Sequence, residues 1–435
     1  MPVQSRRRPP RPASAVAPSR ATASVGAGAP LDDWPDLPTG TAGRASSGTA
    51  SSGRASSGRA RSGTGKGKGG KSARRRRTPL WARLTLVFGA VLMLSSGVAI
   101  VGMQVAIDQA TSSIQQDNLL GAASKSDAEG GEDLEGPIDL LLLGIDARAR
   151  LDADNVRADT IIVLHIPATH DQAYLLSIPR DTEVQVPAFK KSRYGGGTAK
   201  ATEAFYHGAQ NGAGLAGGAQ LMALTVNKLT GISFDGAAII NFSGFKKIID
   251  ALGTIPMCVR QEVKSHHMKL VDGKPMWNHE ADKASGVKKP VVHKKGCRQM
   301  EGWEALDYSR QRYGLTHGDY DRQQNQQQLI KAMAKKAMSN GVMTDIGKLN
   351  RLMKAAGEAL ILDTGGVPVA NFIFTLRGVA ANDLVLLRTN GGNFAGNGNG
   401  RETLKPISRE MFTAVKNDRL DEFIINNPSV LAPSK

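Results

Sequence analysis

The longest apolar run in the chain extends from Leu84 to Ile107, 24 residues without a charge. At 1.5 Å per residue it makes a helix of about 36 Å, enough to cross a hydrocarbon core of about 30 Å with some tilt. Arg74–Arg77 precede the run, and Asp108 and Asp117 follow it. That asymmetry orients a single span with its N-terminus in the cytoplasm. A cleaved leader competes with this reading, but the run is longer than a usual leader core and no Ala-x-Ala site follows. A buried core helix would carry a polar face or structured flanks, and neither is present here.

Beyond residue 136 the pattern changes. Ile138–Ile145, Thr160–Ile166, Ala173–Ile178 and Ala237–Phe242 are short apolar runs bounded by Gly, Pro or charge, which predict buried strands. Helical spacing recurs at Ala199–Gln210, Leu215–Leu229, Gly244–Leu252, Gly302–Tyr308, Asp321–Met338, Met343–Ala359 and Val367–Arg377. The glycine- and asparagine-rich stretch 390–400 reads as a loop. Strands interleaved with helices predict an α/β sandwich on a mixed sheet.

Charge divides the chain further. The formal charge is +17, yet residues 1–79 alone hold 16 Lys/Arg against three acids. This tail is rich in Ser, Gly, Ala and Pro and repeats Gly-Arg-Ala-Ser-Ser-Gly at 43 and 53, so it predicts disorder. Residues 108–136 carry seven acids and one lysine and read as an acidic stalk. The expected organisation is a cytoplasmic basic tail (1–79), a membrane helix (80–107), the stalk (108–136) and an extracytoplasmic domain (137–435). Aromatic residues make up 5% of the chain, too few for a base-stacking surface, so no specific nucleic-acid partner is expected.

Candidate chemistry concentrates in Gly302-Trp-Glu-Ala-Leu-Asp-Tyr-Ser-Arg-Gln-Arg312 and Gly318-Asp-Tyr-Asp-Arg322. Arg310 and Arg312 share a face if extended, and Arg322 and Gln326 share one if helical. Guanidinium pairs suit phosphate oxygens, although a run of surface arginines in salt bridges would look the same. Arg180 and Asp181 follow an apolar strand, where α/β sheets keep their ligand sites. Arg157 and Asp159 precede another, and Asp146 ends the first. Asp146 and Asp159 are hard-oxygen candidates for Mg²⁺ beside a phosphate, or ordinary turn aspartates.

Taken together, Leu140-Leu-Leu-Leu-Gly-Ile-Asp146, Arg157-Ala-Asp-Thr-Ile-Ile162, Leu176-Ser-Ile-Pro-Arg-Asp-Thr182, Asn241-Phe-Ser-Gly-Phe245 with Asp250-Ala-Leu-Gly253, and the arginine block at 310–322 resemble the LytR-CpsA-Psr family. The likeness runs from about 138 to 330 with the motifs in family order, and more loosely to about 425. The tail, span and stalk are similar to those of actinobacterial members. The resemblance implies a three-layer α-β-α sandwich with a central mixed sheet. It also implies a membrane-anchored, Mg²⁺-dependent (or Mn²⁺-dependent) phosphotransferase. Such an enzyme moves a glycopolymer from a polyprenyl-pyrophosphate carrier to a peptidoglycan hydroxyl.

Carried over by residue, the resemblance makes Arg180, Arg310, Arg312, Arg322 and Gln326 the pyrophosphate clamp, with Arg157, Asp159 and Asp181 in the same site. Asp146 and Asp159 would hold the metal, and Asp159 or Asp181 would act as base. Lys200 falls where the family often has Lys-Ile-Asn, but this chain reads Lys200-Ala-Thr202. The run Gln323-Gln-Asn-Gln-Gln-Gln328 stands where many members carry a further arginine. An apolar groove for the polyprenyl tail is expected between the helices at 215–229 and 243–252. A pyrophosphohydrolase is the alternative from the same chemistry. A membrane-bound transcriptional regulator is a third reading, opposed by the outward-facing domain and by the lack of a helix-turn-helix pattern before Leu80.

Cys258 and Cys297, the two cysteines, fall beyond the predicted span, where thiols oxidise, so a disulfide is expected over two free buried thiols. Between them lie eight lysines with His266, His267, His279 and His293. Their spacing matches no usual metal motif, and the segment reads as a solvated basic loop that touches anionic wall polymer. The topology has a direct check: a reporter active only in the cytoplasm, fused after Lys435, should stay silent. An active fusion would contradict both the span and the argument for the disulfide.

Overall fold

The computed structural model describes residues 114–125, 136–146, 155–339, 341, 346–369 and 384–433. The tail, the predicted span and most of the predicted helix 367–377 lie outside these residues. No helix among the described residues is long and apolar enough to cross a membrane.

In chain order the first elements are β1 (Gln115–Gln116), β2 (Ile138–Ile145), β3 (Ala158–Ile166), β4 (Ala173–Ser177), β5 (Glu183–Val186) and β6 (Gly197–Lys200). Then come α1 (Ala201–Ala209), α2 (Gly214–Thr230), β7 (Gly236–Asn241), α3 (Phe242–Leu252), β8 (Ile255–Val259), β9 (Val263–Val271) and β10 (Lys274–Trp277). After β11 (Lys288–His293) and β12 (Gly296–Met300) follow α4 (Gly302–Arg310), α5 (Asp319–Ala337), α6 (Ile346–Gly357) and β13 (Leu360–Asp363). The C-terminal part adds β14 (Leu384–Leu387), α7 (Pro406–Lys416) and α8 (Leu420–Asn426).

Seven strands form one mixed sheet in the order β1-β13-β7-β2-β3-β4-β14. Side chains alternate across it. Leu141, Leu143, Ile161, Val163 and Leu176 join the core beneath α1, α2 and α7, while Leu140, Ile162 and Leu175 face Ile330 of α5 and Met353 of α6. Helices therefore cover both faces, and the central strands read as continuous apolar runs because both of their faces are buried. This is the expected three-layer sandwich on a mixed sheet.

Three expectations need correction. Residues 114–125, read as part of the stalk, belong to the folded domain. β1 extends the sheet edge beside β13. Leu119 and Leu120 are fully buried, and their backbone N–H groups donate to Asp363 Oδ2 at 2.7 and 3.1 Å. Two adjacent leucines outweigh an acidic surrounding composition when a sheet edge offers them a core.

The helix expected from Ala199 starts at Ala201, because Lys200 keeps an extended backbone as N-cap and its N–H donates to Glu203 at 2.9 Å. The residues before it form β6, paired with β5.

The basic segment between the cysteines is a three-stranded antiparallel sheet, β10-β9-β11, and not a solvated loop. Its lysines point outward while Val263, Met268, Val271, Val291 and His293 are buried. The charge count hid these buried positions, which along β9 are irregularly spaced. His293 Nε2 lies 2.7 Å from Asp307 Oδ2, both wholly buried, which fixes this sheet to α4.

Cys258 and Cys297 sit directly opposite each other on β8 and β12 and are joined by a disulfide. The bond closes a loop with a sequence separation of 39 residues. Loop-closure entropy for that length is about 3–4 kcal/mol, so Cys258→Ser should lower the thermal midpoint of the oxidised protein, with less effect under reductant. Peptide mapping should recover the two cysteines linked. Alkylation of both thiols in native, unreduced protein would contradict it.

Candidate active site

The site forms at one end of the central strands. β2 and β3 run antiparallel, but the register slips so that Gly144 opposes Thr160 and Ile145 opposes Ala158. Asp159 is the extra residue of this bulge, a device that re-aims a side chain at the rim of a sheet. Gly144 permits the close approach, since a Cβ there would lie 2.8 Å from the Thr160 Cβ. Asp146 continues from β2 at the same end.

Three separated segments bring arginines to this rim. Arg180, after β4, places Nη1 2.7 Å from Asp159 Oδ1. Arg322, on the first turn of α5, places Nη2 2.8 Å from Asp319 Oδ1 and donates to the Asp159 carbonyl at 3.1 Å. Asp319 also lies 3.8 Å from Arg180 Nε, so one carboxylate stands between two guanidiniums.

Arg310, at the end of α4, reaches Asp146 at 3.0 Å. Its guanidinium lies 4.0 Å from the ring centre of Phe242 and 5.3 Å from that of Trp277. Aromatic faces attract a cation most strongly where water is scarce. Arg312 lies over the Tyr313 ring at 4.6 Å. Gln326 is buried one turn beyond Arg322.

Lys200 and Asp181 pair at 2.8 Å beside Arg180. Arg157 is exposed and lies over Tyr206 at 4.8 Å.

Electrostatics sort the arginines. Burial alone would lower the Arg180 pKa, but Asp159, Asp319 and Asp181 outweigh it and raise the value. In Arg322 burial prevails and the value falls, with Asp319 and Asp159 opposing it and Arg180 and Arg312 adding to it. Arg322 Nε and Gln326 Oε1 are buried without a hydrogen-bond partner, and Arg180 Nε has only carboxylates at 3.7 and 3.8 Å. Orphaned polar groups gathered at one rim suit a charged ligand.

Sequence reasoning gave Asp319 no role, although its i, i+3 spacing to Arg322 was a usable signal. It also missed Glu402. That residue is buried and accepts from the Tyr320 hydroxyl at 2.6 Å, while its backbone N–H donates to Asp181 and its carbonyl accepts from Glu183. Glu402 thus ties the Arg180 turn to the start of α5. Nothing in its local sequence signals this, because its partners are about 80 and 220 residues away.

Beside the rim runs an apolar groove of about 320 Å³, lined by Leu142, Ile162, Phe245, Ile248, Leu252, Met333 and Leu352 among others. Of the two helices expected as its walls, α3 lines it. α2 packs on the opposite face of the sheet, so that expectation fails for residues 215–229.

A rim of arginines and aspartates beside an apolar groove, on a doubly covered mixed sheet, defines an α/β protein equipped for a ligand with a charged head and an apolar tail. A profile of the LytR_cpsA_psr family matches residues 101–412, and the chain belongs to that family. LcpA of Corynebacterium glutamicum, a cell wall biosynthesis protein, is 26% identical over 314 residues, 70% of this chain and 55% of that protein. The chain thus spans little more than half the length of that relative. TagU of Oceanobacillus iheyensis, a polyisoprenyl-teichoic acid--peptidoglycan teichoic acid transferase, is 28% identical over 278 residues, 63% of this chain and 75% of that one. The crystal structure of protein gbs0355 from Streptococcus agalactiae shares the fold at TM-score 0.50 and 20% identity, covering 66% of this chain and 88% of that one.

Burial raises the Glu402 carboxyl above its ordinary value, against lowering by the Tyr320 hydroxyl and the Ala395 amide. A carboxyl raised on folding adds its full stability below its unfolded value and loses it as pH rises through the folded one. Glu402→Gln keeps an acceptor for Tyr320 and is neutral at every pH. It should therefore flatten the fall in stability above about pH 4.5, read from urea midpoints across pH 4–8. An unchanged pH slope would contradict the burial.

Proposed function

We propose that the chain is a membrane-anchored phosphotransferase with its active site outside the cell. It takes a glycopolymer from a polyprenyl-pyrophosphate carrier and attaches it to a peptidoglycan hydroxyl. The observation that carries this reading is the meeting of Arg180 and Arg322, from segments 142 residues apart in sequence, on Asp159 and Asp319 beside an apolar groove. A surface salt-bridge account gives no reason for burying Arg322 to 6% exposure. The activity in TagU's name, transfer of a polymer from a polyisoprenyl carrier to peptidoglycan, supports the same substrate class. The uncharged run 84–107 supports the anchor.

Arg180 and Arg322 hold the two phosphates, Arg310 approaches from the α4 side, and the prenyl tail lies along Phe245, Ile248 and Met333. When the phosphate ester to the sugar transfers, the departing lipid phosphate gains negative charge. Guanidiniums already fixed in place stabilise that charge without reorganising. Asp159 and Asp181 are the carboxylates beside Arg180 that can accept the proton of the attacking hydroxyl.

Asp146 follows β2 and Asp159 lies at the start of antiparallel β3, so both fall at one end of the sheet and would offer hard oxygens to Mg²⁺ or Mn²⁺. Among the described residues no three metal-ligating side chains cluster, so phosphate oxygens and water would complete the shell. A divalent ion there would neutralise phosphate oxygens and polarise the reacting bond.

Purified protein given lipid-pyrophosphate-linked glycan and Mg²⁺ should release lipid phosphate and label peptidoglycan only when acceptor is present. Release without acceptor at the same rate would instead identify a hydrolase. Arg180→Ala, Arg310→Ala and Arg322→Ala should each slow transfer by about a hundredfold, the loss of one oxyanion donor at about 3 kcal/mol. Full activity in all three variants would overturn the assignment.

A further inference from the structure

Strands β9 and β10, with the residues just after Trp277, wall an open cavity of about 440 Å³ against the active-site rim. Asp146 and Arg310 line one wall, and Trp277, His266, His267 and His279 line the other. Its size falls within the range of small-molecule sites, about 300–1,000 Å³. We propose that this cavity is a saccharide subsite, holding the sugar unit attached to the pyrophosphate with Trp277 as its platform. The proposal rests on the phosphotransferase reading and adds to it the place where the glycan is read.

The lining chemistry selects the occupant. A prenyl chain would take a wholly apolar channel, such as the neighbouring groove. A phosphate would take the arginines. This cavity instead combines an aromatic face with scattered groups that both donate and accept, the imidazoles and the amide of Asn278. A pyranose has the matching surface, with C–H faces that lie on an aromatic ring and a rim of hydroxyls.

Direction follows from α3, which serves both spaces. Phe245, Ile248 and Leu252 face the groove, whereas Phe242, Ser243 and Lys246 face the cavity. The two meet at the end of β2, where Gly144 lines one and Asp146 the other. With its tail in the groove and its phosphates at the rim, the carrier presents its other substituent toward Arg310 and Trp277.

The far wall is rigid. Ser265 donates to Asp307 Oδ1 at 2.9 Å, the His266 N–H donates to Gln311 at 3.0 Å, and buried His293 meets the same Asp307. These bonds lock β9 and β11 onto α4, whose last residue is Arg310. Trp277, at the end of β10, is therefore held over Arg310 by a framework that a solvated loop would not supply.

The test uses the full chain in lipid nanodiscs and two probes, undecaprenyl pyrophosphate and undecaprenyl-pyrophosphoryl-N-acetylglucosamine. The unmodified protein should bind the sugar-bearing probe more tightly. Trp277→Ala should weaken that probe about tenfold more than the sugar-free probe, whose own smaller loss reads the Trp277–Arg310 contact. Trp277→Phe should keep most of the preference. His266→Ala, at an exposed position that leaves the Arg310 contact intact, should reduce it in the same selective way. Equal loss for both probes in Trp277→Ala, or no loss in either variant, would overturn the subsite while leaving the pyrophosphate site standing. If the unmodified protein binds neither probe, the phosphotransferase reading fails and the subsite with it.

Discussion

Two guanidiniums of like charge, one of them Arg322 at 6% exposure, are held together at the end of a buried sheet. Such a pair repels itself unless carboxylates stand between, and Asp319 and Asp159 do so at 2.8 and 2.7 Å. The rest of the site depends on this compensation. With the carboxylates in place the arginines tolerate burial, and burial makes them effective, because charge acts more strongly where water is excluded. A pyrophosphate arriving at the rim meets donors whose positions are already set.

Holding Arg322 there requires that α5 be fixed along its length, and the glutamine run achieves it. Gln327 Nε2 donates to the carbonyls of Leu175 and Leu387 and to Ser177, tying the helix to β4 and β14. Gln328 pairs with both backbone groups of Cys258, on the strand that carries the disulfide. At the helix start Gly318 adopts φ 53°, ψ −108°, a conformation open to glycine but strained for other residues. The polar residues of α5 are thus its anchors to the protein, and not a solvated face.

Local pattern made much of this readable. Ile138–Ile145 and Thr160–Ile166 announced the central strands because burial on both faces leaves a continuous apolar run, and Arg180 stood out at the end of one. What sequence could not yield was set by distant partners. Leu119 and Leu120 looked like stalk until Asp363, over 240 residues away, supplied their hydrogen bonds. The buried positions of β9 follow no regular period and lie among lysines and histidines, so the sheet that carries Trp277 looked like a loop. Glu402 matters through neighbours that only folding brings near, whereas Asp319 was signalled by its spacing to Arg322 and overlooked. Helix α2 was assigned to the groove on apolarity alone, which marks burial but not the face of the sheet.

The central claim, that the arginine rim and the apolar groove together receive one polyprenyl pyrophosphate, is tested most directly by a crystal structure with a short-chain polyprenyl pyrophosphate bound. The account predicts phosphate oxygens within about 3.2 Å of guanidinium nitrogens of both Arg180 and Arg322. It also predicts the prenyl chain against Phe245, Ile248 and Met333. A pyrophosphate bound away from these arginines, or a chain lying outside the groove, would contradict it.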